Sequence, residues 1–392
     1  MNVLYHHRTR GKEVEGVHIR GIVGALRQLG HRVDVVSPPG VDVDAGEKPA
    51  SNGHARAKRP SPWALLKPGK SPEVIFEGLE LAYNAYAFPA LNWQLLRREY
   101  GLLYERYALF SVAGVMAARR HRLPLILEVN DSAVVDRIRP LKLQAAARRV
   151  ERFVWGSADA IVTITSYFRD LIVEAGVDAA RVHVVANAVA EEAFSSEPDG
   201  SEVRQQHGLD GKMVVGYVGA LNHWRRIDLL LEAFVELAPK HPRAHLLLVG
   251  QGPDRAAMEA RTRELGLADR VTFAGRVPHA AIASYLGAID IAVIPHSNTY
   301  GSPMKLFEYM AAGRAVVAPW LPPIVSIIGE NDGGALFAPL DRRGLGEALD
   351  GLLASPEQRR ALGVRAREKV FAEYLWRRHA EVILRIHEGL GR

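Results

Sequence analysis

The stretch at 301–313, GSPMKLFEYMAAG, places a lysine and a glutamate three residues apart just inside a well-signalled helix. The spacing predicts a helix over 303–312, with Ser302 as N-cap and Pro303 at the first helical position. Met304, Phe307 and Ala311 recur at i, i+3 and i+7 and define the packed face, while Lys305, Glu308 and Ala312 form the stripe beside it. Lys305 falls in the first turn, where the helix dipole favours anions over cations. Two readings are open. Lys305 and Glu308 can form an ordinary surface i,i+3 pair, worth a few tenths of a kcal/mol. Alternatively, the free N–H groups of this helix start, with Lys305 beside them, hold a phosphate. Glu308 then accepts hydrogen bonds from sugar hydroxyls, and the bound anion accounts for a cation in the wrong turn.

A second basic cluster, Arg225 and Arg226 after Trp224 in GALNHWRRIDLLLEAF, precedes another helix pattern. It reads either as helix-flanking charge or, if its loop lies beside the 298–302 loop on one sheet rim, as the second half of a diphosphate site. The other loops that follow strands and carry Gly or polar groups are Gly11–Gly16, Glu128–Asp131, Gly219–Arg226 and the Gly250-Gln251-Gly252-Pro253 turn. No G-x-G-x-x-G fingerprint, Walker A loop, H-E-x-x-H or G-x-S-x-G elbow is present. With no cysteine, disulfides and thiolate metal sites are excluded.

These loops need strands to hold them. VLYHH, HRVDVV, LLYER, PLILEVND, AIVTITS and RVHVVANAV read as strands of a first half, with helix patterns between them, among them 17–30 and 73–98. The rhythm restarts with KMVVGYVGA, HLLLVGQGP, RVTFAG, DIAVIPH and AVVAP, again separated by amphipathic helices. The changeover lies near 190–211, where EEAFSSEPDGS is polar and turn-rich. The expected fold is therefore α/β, with two doubly wound, Rossmann-like domains facing across a cleft and ligands beyond the carboxyl ends of the strands. The predicted boundaries are 1–190, 191–370 and a final helical segment at 371–392.

At 392 residues, two domains are the natural prior. The net charge of +6 is concentrated in 48–70, KPASNGHARAKRPSPWALLKPGK, which holds six Lys or Arg and no acid. This insertion, about 41–72, reads as a solvated loop or as a basic flap for an anionic membrane or acceptor, with Trp63, Leu65 and Leu66 favouring the second. It lacks the interleaved aromatics of a nucleic-acid stacking surface, so no nucleic acid is expected. The longest apolar run, LFSVAGVMAA at 109–118, is too short to span a bilayer. MNVLYHHRTRG does not read as a signal peptide. The expectation is a cytoplasmic protein, with peripheral contact at the inner membrane face through the basic loop.

GSPMKLFEYMAAGRAVVAP, VGALNHWRRIDLLLEAF and LLVGQGPDR together resemble the carboxyl-terminal domain of a family 4 glycosyltransferase with the GT-B fold. LLYERYALF, PLILEVND and VVANAV resemble the amino-terminal domain of bacterial polysaccharide-type members, so the resemblance spans nearly the whole chain outside the insertion. It implies a retaining transferase that uses a nucleotide-diphosphate sugar (UDP- or GDP-linked), needs no metal or other cofactor, and acts on a saccharide, lipid-linked or small-molecule acceptor. It also implies a final helix packed back on the first domain.

Carried over by position, Glu308 matches the second Glu of the family's E-x7-E motif and binds the donor ribose. Arg225 falls at the diphosphate-binding Lys. Gly301, Ser302, Pro303 and the following amides lie where the diphosphate and sugar are held, with Gly219 in the facing loop. Gly16 matches the amino-terminal Gly-rich loop that approaches the reacting donor phosphate, and the base is read around Arg276 and Val277. Tyr300 stands where the first Glu of E-x7-E is usual, Ala220 where an Arg is common, and Glu15 where a Gly is usual. Asn130 occupies the position of the catalytic-loop His, with Glu128 or Asp131 as substitutes. Arg225 and Lys305 then stabilise the leaving group. An epimerase of the same fold and an inactive basic binding protein are the rival readings.

Overall fold

The computed structural model describes residues 1–11, 14–43, 73–135, 140–330 and 332–391. The basic segment at 48–70, with Trp63, Leu65 and Leu66, lies outside the described residues. The chain divides into two compact units, Met1–Ala186 with Arg377–Arg392, and Asn187–Trp376.

The first unit contains strands β1 (Asn2–His6), β2 (Arg32–Val36), β3 (Leu102–Arg106), β4 (Leu125–Val129), β5 (Ala160–Thr163) and β6 (Val182–Val184). Its helices are α1 (Val14–Gln28), α2 (Glu73–Ala82), α3 (Asn84–Arg97), α4 (Ala113–His121), α5 (Gln144–Ser157) and α6 (Ser166–Glu174). Among the described residues the strands form one sheet in the order β2-β1-β3-β4-β5-β6, with every neighbouring pair parallel. The sequences explain this. LILEV and AIVT are near-continuous apolar runs, buried at every position, which suits strands covered on both faces.

The helix expected over 73–98 breaks at Tyr83. That ring is drawn inward, where its hydroxyl donates to the His7 carbonyl at 3.3 Å. The next residue, Asn84, then accepts from the Val112 and Ala113 amides at 2.8 and 3.0 Å, which caps α4 from outside its own segment.

The second unit alternates more regularly. It runs α7 (Ser201–Gln206), β7 (Met213–Val218), α8 (Ile227–Leu237), β8 (Ala244–Val249), α9 (Arg255–Glu264), β9 (Val271–Gly275), α10 (Ile282–Gly287) and β10 (Ile291–Val293). It continues with α11 (Met304–Ala311), β11 (Ala315–Pro319), α12 (Pro322–Ile328), β12 (Gly334–Phe337), α13 (Arg342–Ala354) and α14 (Pro356–Glu373). The parallel strand order is β12-β11-β10-β7-β8-β9. Leu230, Phe234, Leu246, Val293, Val317 and Leu349 belong to the core between this sheet and its helices.

The two chain crossings are tied together inside the second unit. The Val189 amide donates to the Tyr374 carbonyl at 2.9 Å and the Trp376 amide to the Val189 carbonyl at 3.3 Å. From there α15 (Trp376–Leu390) enters the first unit. It buries Ala380 and Ile383, and its His387 ring nitrogen lies 2.9 Å from the Gly101 carbonyl. No helix among the described residues is long and apolar enough to cross a membrane.

Because α15 completes the first unit's core, Ile383→Ala is expected to cost about 2–4 kcal/mol. Arg385→Ala, on the exposed face, is expected to cost under about 0.5 kcal/mol. Urea denaturation of the two variants checks this, and equal midpoints would remove α15 from the core.

Candidate active site

In the second sheet β7 lies between β10 and β8, so the connections leave it in opposite directions and open a crevice at the carboxyl ends of β7 and β10. The loops beginning at Gly219 and Ile294 line that crevice, which puts the two basic clusters of the sequence on one rim.

Lys305 points into it. The side chain is 9% exposed, and Nζ sits 3.9 Å from the centroid of the Tyr217 ring with no hydrogen-bond acceptor. The backbone leaves the ammonium just enough room. Gly219 has φ +146°, and a Cβ there would lie 2.4 Å from Nζ; Gly250 has φ +144°, and its Cβ would meet the Gly219 carbonyl at 1.9 Å. Tyr217 holds the turn by donating to the Ala220 carbonyl at 2.9 Å. Tyr309, one turn after Lys305 on the same face of α11, accepts from the Val218 amide at 2.8 Å and docks the helix on β7. Burial, then the nearby Arg225, pushes the Lys305 pKa well below its ordinary value, and Glu308 works weakly against this.

Arg225 is half-buried, its guanidinium lies 4.0 Å from the centroid of the Trp224 ring, and its buried Nε has no acceptor. Burial lowers its pKa, offset by the Tyr217, Tyr309 and Tyr300 hydroxyls. Arg226 is different: it turns away to Asp228 at 3.0 Å. Glu308 is pushed up to about 7, chiefly by burial, and its nearest basic group is His279 at 3.8 Å. No ion pair joins Lys305 to Glu308 among the described residues, so the surface-pair reading fails. The surrounding sheet and loops bury both groups apart.

The start of α11 also departs from expectation. Pro303, with ψ 111°, occupies the N-cap position and Met304 begins the helix. Ser302 does not cap, because its hydroxyl accepts from the Asn187 amide at 3.3 Å while its carbonyl accepts from the Asn187 side chain at 2.7 Å. Asn298 closes the loop by accepting from the Gly301 amide at 2.7 Å. Tyr300 is half-buried in this loop. Arg276 and Val277 follow β9, two strands from β7 on the same carboxyl edge, with Arg276 exposed.

The first unit has its own crevice, where β1 lies between β2 and β3. Its polar groups were not singled out from sequence. His6 Nδ1 lies 2.8 Å from Glu105 Oε1, which also accepts from Ser111 at 3.1 Å, and the Tyr83 ring stacks on His6. Burial, with His6 and Arg106 nearby, lowers His7 to about 3, so it is neutral at physiological pH.

Glu128 is not the loop carboxylate that EVND suggested. It lies inside β4 with no exposure, bound by Arg106, by Tyr104 at 3.0 Å and by Asn130 at 2.9 Å. Its role is to anchor. Asn130 is half-buried through that bond, and Asp131 accepts from the Ser132 amide at 2.8 Å. Gly16 lies in the first turn of α1 rather than in a loop, because the helix begins at Val14; a Cβ there would fall 2.0 Å from the Gly11 carbonyl.

Both units match known proteins. Residues 15–188 match the glycosyl transferase 4-like domain, and residues 199–369 match the glycosyl transferases group 1 family. Over 394 residues the chain is 25% identical to an alpha-D-kanosaminyltransferase of Streptomyces kanamyceticus, spanning 95% of this chain and 99% of that protein. A 2-deoxystreptamine glucosyltransferase of the same organism is 31% identical over 242 residues, covering 58% of this chain and 61% of its own. Anabaena HepE in complex with UDP has the same fold, with a TM-score of 0.72 at 17% identity over 99% of this chain and 100% of that one. Two family matches end to end, on two doubly wound sheets, make this chain a family 4 glycosyltransferase of GT-B fold.

Proposed function

We propose that the enzyme moves a sugar from a nucleotide-diphosphate sugar, UDP- or GDP-linked, to a hydroxyl of a saccharide, lipid-linked or small-molecule acceptor in glycoconjugate biosynthesis. Transfer proceeds with retention at the anomeric carbon and without a metal ion. The observation that carries this reading is the pair of cations at the β7/β10 crevice, Lys305 and Arg225, neither of which has a carboxylate partner among the described residues. Burial and the nearby Arg225 lower the affinity of Lys305 for its proton, and burial does the same for Arg225. An anion between them reverses that penalty, and a diphosphate leaving group is an anion whose charge grows as the glycosidic bond breaks.

The rest of the edge takes its place around that anion. The α11 amides and the Gly301–Pro303 backbone meet the phosphates and sugar, and Glu308 accepts from the ribose. The loop at Arg276 and Val277 lies beside the base, and Tyr300 contributes a hydroxyl near Arg225. In the first unit, Asn130 and Asp131 face the acceptor. The acceptor hydroxyl attacks from the face the diphosphate leaves, and a phosphate oxygen takes its proton. This requires no protein nucleophile. Action in the cytoplasm, in peripheral contact with an anionic bilayer, belongs to the same proposal.

Lys305→Ala and Arg225→Ala are each expected to lower kcat/KM about 10²–10³-fold with the donor that most raises the melting temperature. Normal transfer by both variants would sink the assignment.

Glu308 gives a prediction of opposite sign for stability. Its folded pKa of about 7 exceeds the unfolded value, so the folded state holds its proton more tightly and stability falls as pH rises from about 4.3 to 7. Glu308→Gln removes that loss. The variant is expected to be more stable than wild type at pH 8, by about 1–3 kcal/mol, and equally stable at pH 4. Its KM for donor is expected to rise at least about tenfold. Denaturation at the two pH values and donor-saturation kinetics check both halves.

A further inference from the structure

Helices α3, α4 and α5 lie side by side on one face of the first sheet. His121 of α4 lies 2.8 Å from Asn92 of α3, and Arg119 of α4 donates to Ser157 of α5 at 2.8 Å. Their outer surface is unusual in two ways.

The first is charge. Arg97 on α3, Arg119 and Arg120 on α4, and Arg148, Arg149 and Arg152 on α5 are all exposed. None has a carboxylate within ion-pair distance among the described residues. The three helices contain one acid, Glu151, and it is buried, accepting from Ser132 at 3.0 Å and from the Ala133 amide at 3.1 Å. Glu99, just past α3, is an exposed acid at the margin.

The second is exposed apolar surface. Trp93 is 55% exposed, Leu96 75%, Met116 47% and Phe153 45%. Two of these carry a guanidinium on the ring: Arg97 lies 3.7 Å from the Trp93 centroid and Arg119 5.3 Å from that of Phe153.

Arginines in the last turns of α3 and α4 complement the helix dipoles, and that explains Arg97, Arg119 and Arg120. It explains neither the three mid-helix arginines of α5, nor the lack of exposed acid on the three helices, nor four large apolar side chains in solvent. A bilayer carrying anionic lipid matches all of these. Phosphates attract the arginines, and Trp, Leu, Met and Phe side chains enter at headgroup depth while their arginines reach outward to the phosphates. We propose that the α3–α4–α5 face docks on an anionic lipid bilayer. The arginines of α3 and α4 cluster at the helix ends remote from the carboxyl edge of the sheet, so docking leaves that edge of the unit open. This surface shares no residue with the basic 48–70 segment.

The test is vesicle flotation of the full chain, with vesicles of phosphatidylcholine alone or mixed equally with phosphatidylglycerol. Wild type is expected to float with the mixed vesicles and not with pure phosphatidylcholine, and to be released as salt rises. Trp93→Glu with Leu96→Glu, and separately Arg148→Glu with Arg152→Glu, are expected to lower the partition coefficient at least about tenfold. Sugar transfer to a soluble acceptor, measured on the same preparations, is expected to stay at the wild-type rate, which also shows that the variants are folded.

The proposal is overturned by equal flotation with both vesicle types, by no flotation, or by variants that float as wild type does, since the last result assigns binding to 48–70. It is also overturned if light scattering shows a dimer that Leu96→Glu dissolves without any vesicle binding. Retention on duplex DNA in place of vesicles overturns it as well. None of these outcomes bears on sugar transfer, so the transfer reading stands or falls separately, and only its bilayer contact shares the no-flotation outcome.

Discussion

A buried ammonium with no counter-ion is the constraint around which the second unit is arranged. Removing a lysine charge from water costs several kcal/mol even after relaxation. The Tyr217 ring returns on the order of 2 kcal/mol of that when desolvated. The remainder is carried by the fold, through α11, which is buried on nearly every side, and through Tyr309, which fixes that helix to β7. Glycine at 219 is a condition of the arrangement, since any side chain there would occupy the ammonium's place. A local arrangement that costs stability, held by a well-packed scaffold, is what functional pre-organisation looks like in energetic terms.

The two units share an architecture and differ in electrostatics. Both sheets reverse strand order beside their first strand, and both open a crevice at its carboxyl end. In the first unit the charges there are matched. Glu105 meets His6, Arg106 meets Glu128, and Arg8 meets Glu80 at 3.0 Å. In the second unit Lys305 and Arg225 are left without a carboxylate. A balanced network suits a neutral polyol, which needs directional hydrogen bonds and no net charge. An unbalanced one suits an anion. The division of labour proposed here, acceptor with the first unit and charged donor with the second, follows from that contrast.

The alternation of apolar strands and amphipathic helices was legible because buried parallel strands leave continuous apolar runs, as in LILEV and AHLLLV, that no surface element would carry. Lys305 and Glu308 were legible as a pair by spacing, but their burial was not. The groups that enclose Lys305 lie some ninety residues upstream at Tyr217 and Gly219, and helix periodicity reports only neighbours within a turn or two. Ser302 misled for the same reason. It has the local features of an N-cap, and its hydroxyl is claimed by Asn187, over a hundred positions earlier. Glu128 shows the converse. A carboxylate near the end of a strand looks available, and only the tertiary positions of Tyr104 and Arg106 reveal it as an internal anchor. The first unit's His6–Glu105 pair leaves no short-range pattern at all, because its partners lie on two separate strands.

Tyr300 adjusts the charge balance of the second unit's crevice. A carboxylate at this position would offer Arg225 a resident counter-ion, whereas a phenol brings a dipole near the guanidinium and no carboxylate. The crevice is therefore one unit more positive than it would be with an acid there. Under the proposed function the donor's own phosphates supply the neutralising charge, so affinity for the diphosphate dominates over contacts to the transferred sugar. The missing acid thus does not weaken the case for an anion site; it makes the second unit depend on the anion more heavily, with Lys305 and Arg225 sharing a load that a third charge would have reduced.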